Sequence, residues 1–203
     1  MTAAVFRKTP PGVRVFRSGA LRVGGWVWMV FAAVNFVDLI WRGRDLASAI
    51  AAALLLLGCG VAYAVGLRPR IVADDEAVRF HNLLRDVLLP WEAVTRFEGG
   101  DAVYAHVGDR RFRAFILQTS PRARARSEMR ARREEKKVPE AVAAYMRGRT
   151  ATDFTVEQLR ELAGQHRSKD GTAEASVMWA WPPILALAIP GALTALTIAL
   201  ALI

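Results

Sequence analysis

The side chains able to do chemistry in this chain are few and scattered. The single cysteine, Cys59, lies inside an apolar block, so neither an intramolecular disulfide nor a thiolate metal cluster can be assembled from it. His81, His106 and His166 have no ligand-like spacing and read as polar residues of strands or of the surface. There is no glycine-rich phosphate loop, no nucleophile elbow and no histidine pair on a helix. Val23-Gly24-Gly25 and Glu98-Gly99-Gly100-Asp101 read as turn glycines, and Glu92 as a lone acid at a strand edge. The expectation is a protein that is not an enzyme and has no catalytic residue, cofactor or metal.

The remaining chemistry is charge. The net charge is +9, and its densest part is residues 122–137, where eight basic residues face Glu128, Glu134 and Glu135 for a net of +5. On a helix, Arg122, Arg126, Arg130, Arg133 and Lys137 form one stripe. Such a stripe can meet anionic headgroups, at about 1 kcal/mol per basic residue close to the surface. A solvated helix face is the alternative use of the same charges. The run has no aromatic set for base stacking, so nucleic acid is not an expected partner.

These charges must be positioned by a chain whose hydrophobic content, 53%, is segregated into blocks. Residues 23–41, 46–67 and 177–203 each reach the ~20 residues needed to cross a hydrocarbon core. The first two form a transmembrane helical hairpin, because the loop 42–45 is too short for anything but an antiparallel return. Asp38 lies about one turn from the end of its span, within i,i+4 reach of Arg42, and reads as an interface residue. Five of the tryptophans, Trp26, Trp28, Trp41, Trp179 and Trp181, lie near span ends, where amphipathic rings favour the interface. Pro190 lies inside the third block and is expected to kink it. Arg7, Lys8, Arg14, Arg17 and Arg22 precede the first span without an acid, and Arg68 and Arg70 follow the second. That asymmetry places the amino terminus and residues 68–176 in the cytoplasm and the carboxyl terminus outside.

From Arg68 the hydrophobic period becomes two. Val78 and Phe80 alternate with Arg79 and His81, Val103, Ala105 and Val107 share one face, and Phe112, Ala114 and Ile116 share another. Turns recur at Asp74-Asp75-Glu76, around Asn82, at Gly99-Gly100-Asp101 and at Gly108-Asp109. Six short strands so spaced predict an antiparallel meander, curved or closed into a small split barrel. Ser120 and Pro121 can start a helix that plugs one end. Later, Thr155 and Gln158 stand in capping-box positions, and Leu159 and Leu162 give that helix one apolar edge, read as packing.

The order of features in LRPRIVADDEAVRFHNLLRDVLLPWEAVTRF resembles the bacterial pleckstrin-homology (PH) membrane proteins, particularly the actinobacterial type. An Arg-Pro-Arg start, a strand, an acidic turn, a second strand, the Asn82 turn and Pro90-Trp91 follow two apolar spans. The resemblance covers roughly residues 23–137 and implies a strongly bent sheet with a carboxyl-terminal helix and no enzyme activity. The third span departs from the commoner pattern. Phosphoinositide-binding PH domains carry basic residues at the first β turn; here that turn holds three acids, so inositide binding is not implied.

The expected fold is α+β. A basic arm (1–22) precedes the hairpin (23–67); then come a PH-like sheet or split barrel with its basic helix (68–137), a helical linker (138–176) and a third transmembrane helix (177–203). The expected function is protein interaction or scaffolding at the inner leaflet by a multi-pass plasma-membrane protein with an unidentified membrane or cytoplasmic protein partner. The rival is a small transporter or channel subunit whose spans are the active part, although Asn35, Asp38, Thr194 and Thr197 are few for a shared path. The expected headgroup contacts are Arg68, Arg70, Arg122, Arg126, Arg130, Arg133 and Lys137. Replacing Arg126, Arg130 and Arg133 with Glu should weaken binding of the isolated segment to anionic vesicles by several kcal/mol in a co-sedimentation titration, at about 1 kcal/mol per charge lost. Unchanged binding would remove this helix from the membrane surface.

Overall fold

The computed structural model describes residues 13–115, 151–166 and 173–202. They form β1 (Arg14–Phe16), α1 (Gly19–Arg42), α2 (Leu46–Val61, continued by a π-helical turn Ala62–Leu67), β2 (Arg70–Ala73), β3 (Ala77–His81), β4 (Arg85–Pro90), β5 (Arg96–Gly99), β6 (Val103–Val107), β7 (Arg110–Ala114), α3 (Ala151–His166), β8 (Ser176–Trp179) and α4 (Trp181–Ala201). The strands lie in two antiparallel sheets, ordered β1-β2-β3-β4-β8 and β5-β6-β7. The chain divides into two compact units. One comprises Met1–Phe16, Arg70–Phe80 and Val87–Ser176, and the other Arg17–Pro69, His81–Asp86 and Val177–Ile203.

The first unit has the core that the period of two predicts. Ile71, Val78, Phe80, Leu89, Phe97, Val103, Ala105 and Ala114 are buried, while Arg79, Arg111 and Arg113 on the alternate positions are exposed. Register places Ala105 between Phe97 and Phe112, so a small residue separates two rings on the inner face. Trp91 is the largest buried side chain. Its indole N–H donates to the Asp74 carbonyl at 2.8 Å and its backbone N–H to the Glu76 carbonyl at 3.3 Å, so it fastens the β2–β3 turn.

Two expectations shift. The arm before the first span contributes β1, paired to β2 with Val15 opposite Val72. The helix expected from Thr155 begins one turn earlier, and Thr155 is buried rather than capping. The reason is a buried stripe at helical spacing, Thr152, Thr155, Val156, Leu159 and Leu162, whose first members are polar and so hide the helix start. Leu159 and Leu162 do join the core. Arg160 of α3 donates twice to the Phe97 carbonyl, at 2.7 and 3.1 Å, supplying β5 with a donor from outside its ladder. The basic helix expected over 122–137 lies outside the described residues.

In the second unit the three apolar blocks are helices of 24, 22 and 21 residues, long and apolar enough to cross a membrane. At most 17% of the residues in each apolar window are buried, so most of their surface is left for lipid. Asp45 caps α2, its carboxylate accepting from the Ser48 N–H at 3.0 Å. α4 starts at Trp181 rather than at 177, because Pro182 and Pro183 fit only a first helical turn. Val23-Gly24-Gly25 is not a turn: it lies inside α1, and Gly25 is buried where α1 crosses the π-helical end of α2. A Cβ on Gly66 would sit 2.8 Å from the Leu21 carbonyl oxygen.

The helix α4 runs through Pro190 unbroken. Pro190 has no N–H for the carbonyl of Ala186, four residues back. That carbonyl faces Gly60 of α2, where a Cβ would lie 2.0 Å from its oxygen. A glycine there lets the backbone approach and offers a Cα–H to an oxygen that proline has left unserved. Gly60→Val should therefore lower the thermal midpoint of the detergent-solubilised protein, an overpacking cost of about 1–3 kcal/mol. Gly24→Val, whose Cβ meets nothing within 4 Å, should leave that midpoint in place.

Candidate membrane-interface site

The apolar run of α2 stops because Pro69 cannot continue a helix, and Arg68 is the last residue before it. The Arg68 side chain is only 10% exposed. Its guanidinium donates to Asp86 Oδ1 at 2.7 Å and to the Leu83 carbonyl at 3.2 Å. His81 Nδ1 lies 2.9 Å from the same Asp86 oxygen. The hairpin geometry makes this possible: the Asn82 N–H donates to the Arg85 carbonyl at 3.0 Å, which closes a tight turn and sets His81 and Asp86 beside each other.

The same turn receives the start of α4. The Ala180 N–H donates to the Leu84 carbonyl at 2.9 Å, and the Arg85 guanidinium lies 4.2 Å from the centre of the Trp179 ring. Around this pair Met178, Trp179 and Trp181 are 57%, 58% and 67% exposed. Exposed tryptophan and aliphatic side chains mixed with arginine are the composition of a membrane–water interface.

Of the headgroup residues expected from sequence, Arg68 is thus occupied internally. Opposite charge and a carbonyl lie within reach, and in a water-poor setting that pairing is stronger than contact with solvent. Arg70 begins β2 half-buried, and its Nε is buried with no hydrogen-bond partner among the described residues. Arg122, Arg126, Arg130, Arg133 and Lys137 lie outside the described residues. Sequence reading missed Arg85, Asp86 and His81. Their signal was an Asp eighteen residues after Arg68, on the far side of the Asn82 turn.

Two other polar clusters belong to the sheet unit. In the acidic turn, Asp74 accepts from its own backbone at Glu76 (3.1 Å) and Ala77 (2.8 Å), and Asp75 faces His166 Nε2 at 3.4 Å. Its carboxylates hold the turn and α3. The outer face of β5-β6-β7 is a lattice of paired charge and rings. Glu98 meets His106 at 2.8 Å, Arg113 meets Asp101 at 2.8 Å, Tyr104 donates to Asp101 at 2.7 Å, and Arg111 lies 3.6 Å over the Tyr104 ring. The hydrogen bond from His106 lowers the Glu98 pKa, and the Tyr104 hydroxyl lowers that of Asp101 while its own is raised.

Removing one partner of the Arg68–Asp86 pair leaves the other charge shielded and unpaired. Arg68→Ala and Asp86→Ala should each destabilise the full-length protein by about 3 kcal/mol, the low end for breaking a buried pair. A double-mutant cycle read by chemical unfolding should show strong coupling, since the second substitution removes the charge that the first exposed. Additive losses would mean that the two residues do not act as a pair.

No curated protein and no solved structure matches the chain. A family model described as a bacterial PH domain matches residues 68–135, beginning at the arginine that ends α2. Residues 68–135, about a third of the chain and lying between its second and third apolar helices, are thus similar to a bacterial PH domain.

Proposed function

We propose that this protein is a non-enzymatic, multi-pass plasma-membrane protein whose cytoplasmic PH domain docks a protein partner at the inner leaflet. The observation that carries the reading is the match of residues 68–135 to a bacterial PH domain directly after an apolar helix long enough to cross a membrane. A domain that follows directly on a membrane-spanning helix suits a platform, since it needs no lipid ligand to reach the membrane. Arginines in the amino-terminal arm and after α2 support the cytoplasmic orientation. Arg111 and Tyr104 on the outer face of β5-β6-β7 suit protein docking, because both residue types are enriched at interface cores and are held in place here before any partner arrives.

The spans argue for anchoring rather than transport. Asn35 donates to the Phe31 carbonyl, Thr194 to Pro190, and Thr197 to Leu193 and Thr194, all within their own helices. Asp38 pairs with Arg42 at 3.3 Å, near the helix end. Polar groups satisfied this way are not presented to a shared path.

A reporter fused after residue 150 should be active only on the cytoplasmic side, and in-membrane crosslinking should capture a protein neighbour. Arg111→Glu with Tyr104→Ala should cut that crosslink at least fivefold without lowering the amount of protein in the membrane. An external reporter, or a crosslink indifferent to these substitutions, would overturn the assignment.

A further inference from the structure

All five valines of α1, Val23, Val27, Val30, Val34 and Val37, recur at spacings of four, three, four and three, and Trp41 follows four residues on. Each is between 52% and 79% exposed, and together they form a stripe on the side of α1 opposite the buried Gly25 and Ala32. We propose that this stripe is a dimer seam, on which α1 of a second copy of this chain packs in the same bilayer.

Three observations select this occupant. The first is period. Val23, Val30 and Val37 are seven residues apart, and so are Val27, Val34 and Trp41. Two interleaved sevens are the seam of helices that wind about each other with a left-handed twist. The second is residue type. Lipid accepts any apolar side chain, and α4 shows it: Leu185 and Ile189 are exposed while Leu187 and Ile184 are half-buried. By contrast, α1 keeps every valine for this one stripe and uses Leu, Met, Phe, Trp and Ile elsewhere. Valine has one strongly favoured rotamer in a helix, so it loses little freedom when a second helix closes on it. In lipid that matters, because association there rests on close packing rather than on the hydrophobic effect. The third is extent. From Val23 to Trp41 the stripe runs about 27 Å at 1.5 Å per residue, nearly the whole of a 30 Å core. It contains no charge, since Asp38 and Arg42 lie outside it and pair with each other. Two copies inserted with one topology run parallel, so a twofold axis along the bilayer normal sets each valine against its counterpart. The stripe is therefore complementary to itself. The other side of α1 is already taken by α2, where Trp28 lies over Gly58 and Gly25 meets Leu67. The seam depends on the spans alone, so it stands whether or not residues 68–135 dock a partner.

With Cys59→Ala removing the native thiol, single cysteines would be placed in the full-length protein and oxidised in isolated membranes. A disulfide needs Cα atoms within about 7 Å. Val27→Cys, Val30→Cys and Val34→Cys should each give a disulfide-linked dimer at least fivefold above Phe31→Cys and Ala33→Cys, positions that are also exposed but flank the stripe. Native mass spectrometry from nanodiscs should show a wild-type dimer. Val30→Phe with Val34→Phe should shift it at least tenfold toward monomer at unchanged helix content by circular dichroism, while Ala33→Phe leaves it in place. Should the double variant fail to accumulate, the cysteine pattern decides alone. Equal linkage on and off the stripe overturns the proposal, as does a monomeric wild type. So does a stripe cysteine that links to a different protein, which would assign the face to another chain.

Discussion

Arg68 carries a permanent charge at the last turn of a helix built to lie in hydrocarbon, and that charge has to be answered inside the fold. Its side chain is 10% exposed, so water answers little of it. Asp86 and the Leu83 carbonyl do so instead. The pairing fixes more than one side chain. It sets the rotation of the β3–β4 turn, because a slip of one residue in either strand would carry Asp86 to the opposite face. Beyond Asp86 the same strand delivers Val87 and Leu89 to the core of the sheet unit.

A second constraint acts in the helical unit, where backbone polar groups must find partners without water. The sequence places a proline in α4 and a glycine in α2, and each would weaken an isolated helix. Together they are complementary. Pro190 frees the Ala186 carbonyl, and Gly60 lets α2 approach that carbonyl directly. The threonine hydroxyls in α4 are likewise spent on carbonyls of their own helix. The polar side chains within the spans are thus satisfied inside their own helices, and most of the span surface is apolar.

Much of this was legible in the residues. Period-two alternation located β2 to β7, and runs of about 20 apolar residues located the three long helices. Pro90-Trp91 pointed to the PH-like order, and Trp91 proves to be the buried pin of the first turn. What stayed hidden depends on tertiary contact. β1 and β8 are three and four residues long and exist as strands through pairing within the sheet. The start of α3 was masked by Thr152 and Thr155, polar residues that are buried. Gly25 looked like a turn glycine because a single helix gives no sign of a neighbour that needs its missing side chain. Arg68 looked like a headgroup ligand because its partner lies eighteen residues away, and only the fold brings the two together.

The placement of charge separates two kinds of surface. Toward the bilayer, cation and aromatic groups are exposed, as with Arg85 over Trp179. On β5-β6-β7, Glu98 meets His106 and Asp101 meets Arg113. Hydrogen bonds from His106 and Tyr104 lower the pKa values of Glu98 and Asp101. The exposed Arg85–Trp179 pair thus stands at the start of α4, while the polar side chains of β5-β6-β7 are held by one another.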